Sequence, residues 1–152
     1  EVLSYSPDGI MLSNGPGDPA ENTRIIHEIG KLYQSGVPIF GICLGHQLLA
    51  LSQGGKTVKL KYGHRGANQP VRDISTGRVY ITSQNHGYAV DSDALPSHAQ
   101  VSMVNANDGT CEGIVYENAP VFTVQFHPEA CGGPLDTQFL FDQFIKRMEE
   151  MR

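Results

Sequence analysis

The stretch VPIFGICLGHQLLAL, residues 37–51, restricts the possible folds more than any other part of the chain. Its first half, VPIFGI, is apolar throughout, as expected of a short strand covered on both faces. Its second half is rich in helix formers. At the junction, Gly41 to Gly45 read G-I-C-L-G, so a thiol is delivered to a strand end with glycine two positions away on either side. A sharp strand-to-helix turn demands such small neighbours, because strand and helix approach closely there, and the turn exposes the residue at its tip.

The surrounding sequence extends this α/β pattern. GIMLS, from Gly9, reads as a buried strand and NGPGDPAENT as a turn-rich loop leading into a helix. In that helix Ile25, Ile29 and Leu32, with Ile26 and Tyr33 beside them, recur at three- to four-residue spacing and make one apolar face. From Thr57 to Phe126 the character changes to short runs such as RVYITS, YAV, QVSMV, EGIVY and VFTVQF, separated by turn residues, which predict further strands, some of them antiparallel. A last amphipathic helix from Pro134 carries Leu140, Phe144 and Met148 on one stripe, with Phe141 and Ile145 adjoining it. The expected architecture over residues 1–152 is one α/β domain with an open mixed, mainly parallel sheet flanked by helices.

Composition excludes several function classes. With 11 Lys plus Arg against 16 Asp plus Glu, the formal charge is -5 and no basic run stands out, which argues against nucleic acid as a partner. No apolar run approaches the roughly 20 residues of a membrane-spanning helix. The three cysteines Cys43, Cys111 and Cys131 do not resemble a disulfide framework, and a reducing cytosol is the expected setting.

A thiol at the first turn of a helix sits among unpaired backbone amides that favour negative charge, and the N–H of Leu44 can donate to an oxyanion formed beside the sulfur. Cys43 is therefore a candidate nucleophile; its plain alternative is a small buried residue in a glycine-rich turn. A nucleophilic thiol needs a base. Of six histidines, His127 fits best: it follows the strand VFTVQF, and in HPE it precedes Glu129 by two residues, so one strand end can present base and orienting carboxylate together. His27 falls on the polar side of a helix, His98 in a loop, and His46 one turn into the helix after Cys43, where packing accounts for it. His86, in the polar segment SQNHGYAV, is a candidate for ligand contact. A rival of another class uses the spacing C-x2-H and H-x3-C of Cys43, His46, His127 and Cys131 to hold zinc, but this leaves the flanking glycines and Glu129 without a role. In NGPGDP, Gly15 and Gly17 follow a strand and can bring bare backbone close to a ligand, while Asp18 and Pro19 read as the cap and first position of the next helix.

Taken in order, LSNGPGDP, FGICLGHQLLAL, TSQNHGYAV and VQFHPE resemble the triad-type (class I) glutamine amidotransferases, whose fold is flavodoxin-like. Within that family, KYGHRGANQPV together with SQNHGYAV resembles the small, glutamine-hydrolysing subunits of carbamoyl-phosphate synthases. The resemblance covers nearly the whole chain. It implies Cys43 as nucleophile, His127 as base and Glu129 as its orienting acid. It adds a glutamine site of Gly15, Gly17, Leu44, Gln47, Asn85, Gly87 and Tyr88, with Gly15 and Leu44 forming the oxyanion hole and no metal. It further implies L-glutamine as substrate, the large synthetase subunit of such an enzyme as partner, ATP and magnesium on that partner, no cofactor in this chain, and a role in carbamoyl phosphate synthesis from bicarbonate for the pyrimidine and arginine pathways. Two features depart from the family pattern. Tyr88 stands where phenylalanine is common, and ACGGP follows Glu129 in place of ASPGP. The resemblance implies that the family's first strands and separate N-terminal domain would precede Glu1, so a glutamine contact from that part is unassigned. The alternatives are the glutamine component of anthranilate or aminodeoxychorismate synthase, which typically carries YHS where this chain has QNHGYAV, and a non-catalytic partner-binding or zinc-binding module.

Overall fold

The computed structural model describes residues 1–130 and 137–152. Strand β1 (Ile10–Leu12) leads through a short 3-10 turn to helix α1 (Thr23–Gln34), and β2 (Ile39–Ile42) passes directly into α2 (Leu44–Ser52). Strands β3 (Thr57–Asp73) and β4 (Val79–Val90) form a long hairpin, followed by β5 (Ala99–Asn105), β6 (Cys111–Tyr116), β7 (Val121–Val124) and α3 (Phe139–Glu150). All seven strands join one sheet in the order β1-β2-β7-β6-β5-β3-β4.

The sheet is open and mixed, as expected, but its parallel part is smaller than expected. Among the described residues the β1–β2 and β2–β7 pairings are parallel, against four antiparallel ones. The reason is connection length. Parallel neighbours need a crossover, which α1 supplies between β1 and β2, whereas the tight turns that join β3 to β4, β5 to β6 and β6 to β7 permit only antiparallel pairing.

β2 shows why its sequence reads apolar throughout: Ile39 enters the core beneath α1 and α2, whereas Phe40 and Ile42 enter the opposite core beneath α3. On the α3 side Phe40 stacks on Phe122 at 4.6 Å and meets Phe144 at 5.8 Å. The helical stripes are narrower than the periodicity suggested. Ile29, Tyr33, Leu140 and Phe144 are buried, while Ile25 and Ile145 remain about half exposed. Among the described residues no helix is long and apolar enough to cross a membrane.

SQNHGYAV, of which only YAV was expected as strand, lies wholly within β4, and KYGHRGANQPV is part of β3. Glycine and asparagine favour turns, but here each strand supplies the other's ladder, interrupted by register shifts at Lys59/His64 and Gly66/Gln69. One end of this hairpin pairs with β5 through Val71–Asp73, while the other reaches α2, where the Gln47 amide donates to the Tyr88 carbonyl at 2.8 Å. The hairpin thus carries residues 85–88 from the sheet edge to the strand–helix junction at Cys43.

The glycines of that junction are fixed by contact. A Cβ on Gly45 would lie 2.6 Å from Leu12 Cβ, and one on Gly41 would lie 2.8 Å from Thr123 Cγ2. We expect Gly45→Ala to destabilise the domain by about 2–3 kcal/mol through overpacking against rigid backbone. Gly30→Ala, in the interior of α1 with open space around it, should stabilise by about 0.5–1 kcal/mol. Equilibrium urea denaturation measures both, and equal effects would contradict the packing account.

Candidate active site

Cys43 occupies the one backbone position between β2 and α2. Its φ of 54° and ψ of -108° lie where a side chain is sterically disfavoured, at a cost of about 1–3 kcal/mol. Bonds on both sides hold it there: its N–H donates to the Val124 carbonyl at 2.9 Å, and its carbonyl accepts from the Gln47 N–H at 3.2 Å. The same geometry leaves the first N–H groups of α2, starting at Leu44, without intrahelical acceptors beside the sulfur.

His127 reaches the thiol from β7. Its own N–H donates to the Ser83 carbonyl of β4 at 2.9 Å, which ties the segment after β7 to the long hairpin. Nδ1 of its ring lies 2.7 Å from Glu129 Oε1, so Nε2 is the nitrogen left to serve the thiol. The hydrogen bond with Cys43 is the strongest influence on this imidazole, and with the contribution of Glu129 it outweighs the opposing effect of burial, raising the pKa to about 9. Cys43 and Glu129 thus both favour the charged form of this ring. Gln125, fully buried, adds a second contact, its Nε2 lying 3.7 Å from the Cys43 sulfur, and Gln47 Nε2 in turn donates to Gln125 Oε1 at 2.9 Å.

Cys43 and His127 line a cavity of about 670 Å³, together with Gly15, Gly17, Gln47, Asn85, Gly87 and Tyr88. Eight of the ten residues expected at the site therefore share one cavity. Leu44 and Glu129 are not in its wall. The Leu44 side chain packs against the core beneath α1 and α2, and Glu129 stands behind His127 as its carboxylate partner. The wall also contains Asn14, Pro16, Asp18, Lys59, Arg65 and His86. Lys59 and Arg65 escaped sequence reading because β3 was not recognised; their places opposite Tyr88 and Asn85 follow from its register with β4. Asp18 does cap the turn at Pro19, accepting from the Ala20 N–H at 3.0 Å, and lines the cavity as well. Gln125 could have been found from the alternation in VFTVQF, continued past the end of β7.

The zinc alternative finds little support in the placement of its ligands. His46 is fully buried with Nδ1 2.7 Å from Thr123 Oγ1, and burial lowers its pKa to about 3. Cys131 lies outside the described residues. Among the described residues the trio of ligating side chains with atoms within 4.8 Å of one another is His64, His86 and Glu112, which excludes Cys43. His27 is exposed on α1, and His98 sits in a turn 3.2 Å from Gln53 Oε1. Burial pushes the Cys111 thiol up to about 12, which makes it inert at neutral pH.

A family model described as glutamine amidotransferase class-I matches residues 1–147. The chain belongs to the class-I glutamine amidotransferase family. Within that family it is 56% identical over 146 residues to the carbamoyl phosphate synthase small chain of Akkermansia muciniphila, covering 96% of this chain and 39% of that protein. The corresponding small chain of Methanocaldococcus jannaschii is 58% identical, covering 96% of this chain and 41% of the relative. The chain thus spans about two fifths of the length of these relatives. Among solved structures, one described as a GMP synthase component from Thermoplasma acidophilum superposes with a TM-score of 0.82 at 25% identity, covering 95% of this chain and 74% of that one. A glutamine amidotransferase of Thermotoga maritima shares the fold, with a TM-score of 0.66 at 20% identity over 93% of this chain and 64% of that one.

The electrostatics of this amidotransferase domain give a measurable sign. Because the thiol contributes most to holding the proton on His127, Cys43→Ser should bring the His127 pKa down from about 9 towards 6.5, and Glu129→Gln should lower it by less. Imidazole NMR titration reads this directly; a His127 that titrates near 6.5 in the unmodified protein contradicts the pairing.

Proposed function

We propose that this domain hydrolyses the side-chain amide of glutamine and passes the ammonia to a synthetase partner, as the glutaminase part of a cytoplasmic carbamoyl phosphate synthase. The observation that carries the reading is the relay of Cys43, His127 and Glu129, with a strained nucleophile at a cavity wall and a 2.7 Å contact between base and carboxylate. The 53–58% identity to carbamoyl phosphate synthase small chains supports the choice of pathway over other class-I amidotransferases.

In this scheme the Cys43 thiolate attacks the amide carbon, and the oxyanion is held by the backbone N–H groups of Leu44 and Gly15. Gln47, Asn85, Gly87, Tyr88 and Gly17 hold the substrate around that carbon. His127, already protonated at neutral pH, gives its proton to the departing nitrogen; the C–N bond breaks, ammonia leaves and a γ-glutamyl thioester remains. The now neutral imidazole takes a proton from water, which attacks the thioester carbon, and glutamate leaves as the thiolate and imidazolium are restored. Glu129 keeps the ring oriented and its charged form stable through both halves. ATP and magnesium act on the partner, and this chain itself needs no cofactor for amide hydrolysis. Free ammonia at neutral pH becomes mostly ammonium, which is not a nucleophile, so the product is useful only when it is passed through an enclosed path to a docked partner.

Cys43→Ser should reduce glutamate release from glutamine at least about 10³-fold, as loss of a nucleophile does in comparable triads. In the assembled synthase the same variant should retain synthesis from added ammonia. Loss of both activities, or retention of glutamine hydrolysis, would contradict the assignment.

A further inference from the structure

Glu112 is a carboxylate of β6 that is fully buried, and neither of its oxygens receives an aligned hydrogen bond. A charge in that position is sustained only by a neighbour of opposite sign. That neighbour is His64 of β3, whose Nδ1 lies 3.2 Å from Glu112 Oε1 and whose Nε2 lies 2.7 Å from Asp108 Oδ2 in the turn between β5 and β6. The two carboxylates outweigh burial and raise the His64 pKa to about 9. His64 and Glu112 also form, with His86, the trio of potential metal ligands, but both ring nitrogens of His86 are already engaged, Nδ1 with the Tyr88 carbonyl and Nε2 with Gln84 Oε1, each at 2.7 Å. His64 in turn faces a carboxylate from each ring nitrogen, so the cluster is better explained as a support than as an ion site.

What it supports is the substrate wall. His64 stands opposite His86 in the β3–β4 register and meets its ring edge-on, with centroids 5.0 Å apart at 90°. The ladder alone does not fix this place, since the register of β3 shifts between Lys59 and His64 and again between Gly66 and Gln69. His86 donates to the Tyr88 carbonyl, which also accepts from Gln47 at 2.8 Å, and Gln47 continues through Gln125 to the Cys43 sulfur. We propose that the buried Glu112–His64 pair is a positioning device for glutamine binding: it seats His86, and through it the Asn85–Tyr88 segment, against the nucleophile. The inference rests on the proposed glutaminase function and adds two residues that touch neither substrate nor thiol.

Glu112→Gln in the full-length enzyme, assayed by glutamate release at neutral pH, should raise the KM for glutamine roughly tenfold, the scale of one lost charged contact, while kcat stays within about threefold. Glu112→Asp should recover part of the loss. If Glu112→Gln fails to fold, Asp108→Asn on the exposed flank of His64 should raise KM in the same direction by about threefold. A folded variant with unchanged KM, whatever its melting temperature, overturns the inference alone, because it assigns the pair a purely structural role. Wild-type enzyme that released no glutamate would remove the proposed function and this inference with it.

Discussion

The site depends on the backbone of a single residue. Cys43 is held in a left-handed conformation that a side chain resists, and the fold maintains it because everything around the turn is already committed. Leu12 of β1 presses on Gly45, Thr123 of β7 presses on Gly41, and the Cys43 N–H is tied to Val124. Each of these contacts comes from a strand of the parallel part of the sheet, so the strain at the thiol is borne by the strands that flank it. The reward is a sulfur at the mouth of a helix N-terminus, where the core meets the wall of a cavity.

Around that fixed point the domain is assembled from two halves with different logic. The β1–α1–β2–α2 half provides Cys43, the proposed nucleophile, and the glycine loop. The antiparallel half provides His127, the proposed base, through the segment following β7, and the opposite wall, through the β3–β4 hairpin. A single backbone bond from His127 to Ser83 couples base and hairpin, and a single side chain, Gln47, bridges the elbow helix to Tyr88 and to Gln125. Cys43 and Glu129 both favour the protonated form of His127, which suits the proposed reaction, whose leaving group must depart as a neutral amine.

Sequence reading picked out Cys43, His127 and Glu129, which the structure brings together, because their signals are local: two glycines around a thiol, and a histidine and a glutamate two residues apart at a strand end. It recovered the open mixed sheet for similar reasons. It missed the length of β3 and β4, because Gly63, Gly66 and Gly87 suggest turns and only the pairing of the two strands overrides them. With the hairpin went Lys59 and Arg65 as cavity residues. The Glu112–His64 pair was hidden for a different reason: its importance lies in a contact between positions 48 residues apart, and no local pattern encodes that.

The central claim is that one thiol, and no other group in the chain, forms the bond to substrate. Treatment with a glutamine-analogue diazoketone followed by peptide mass spectrometry tests it most directly. The account predicts a single stoichiometric adduct on the peptide containing Cys43, prevented by excess glutamine and absent in Cys43→Ser. An adduct on Cys111 or Cys131 instead, or none in a protein that still releases glutamate, would contradict it.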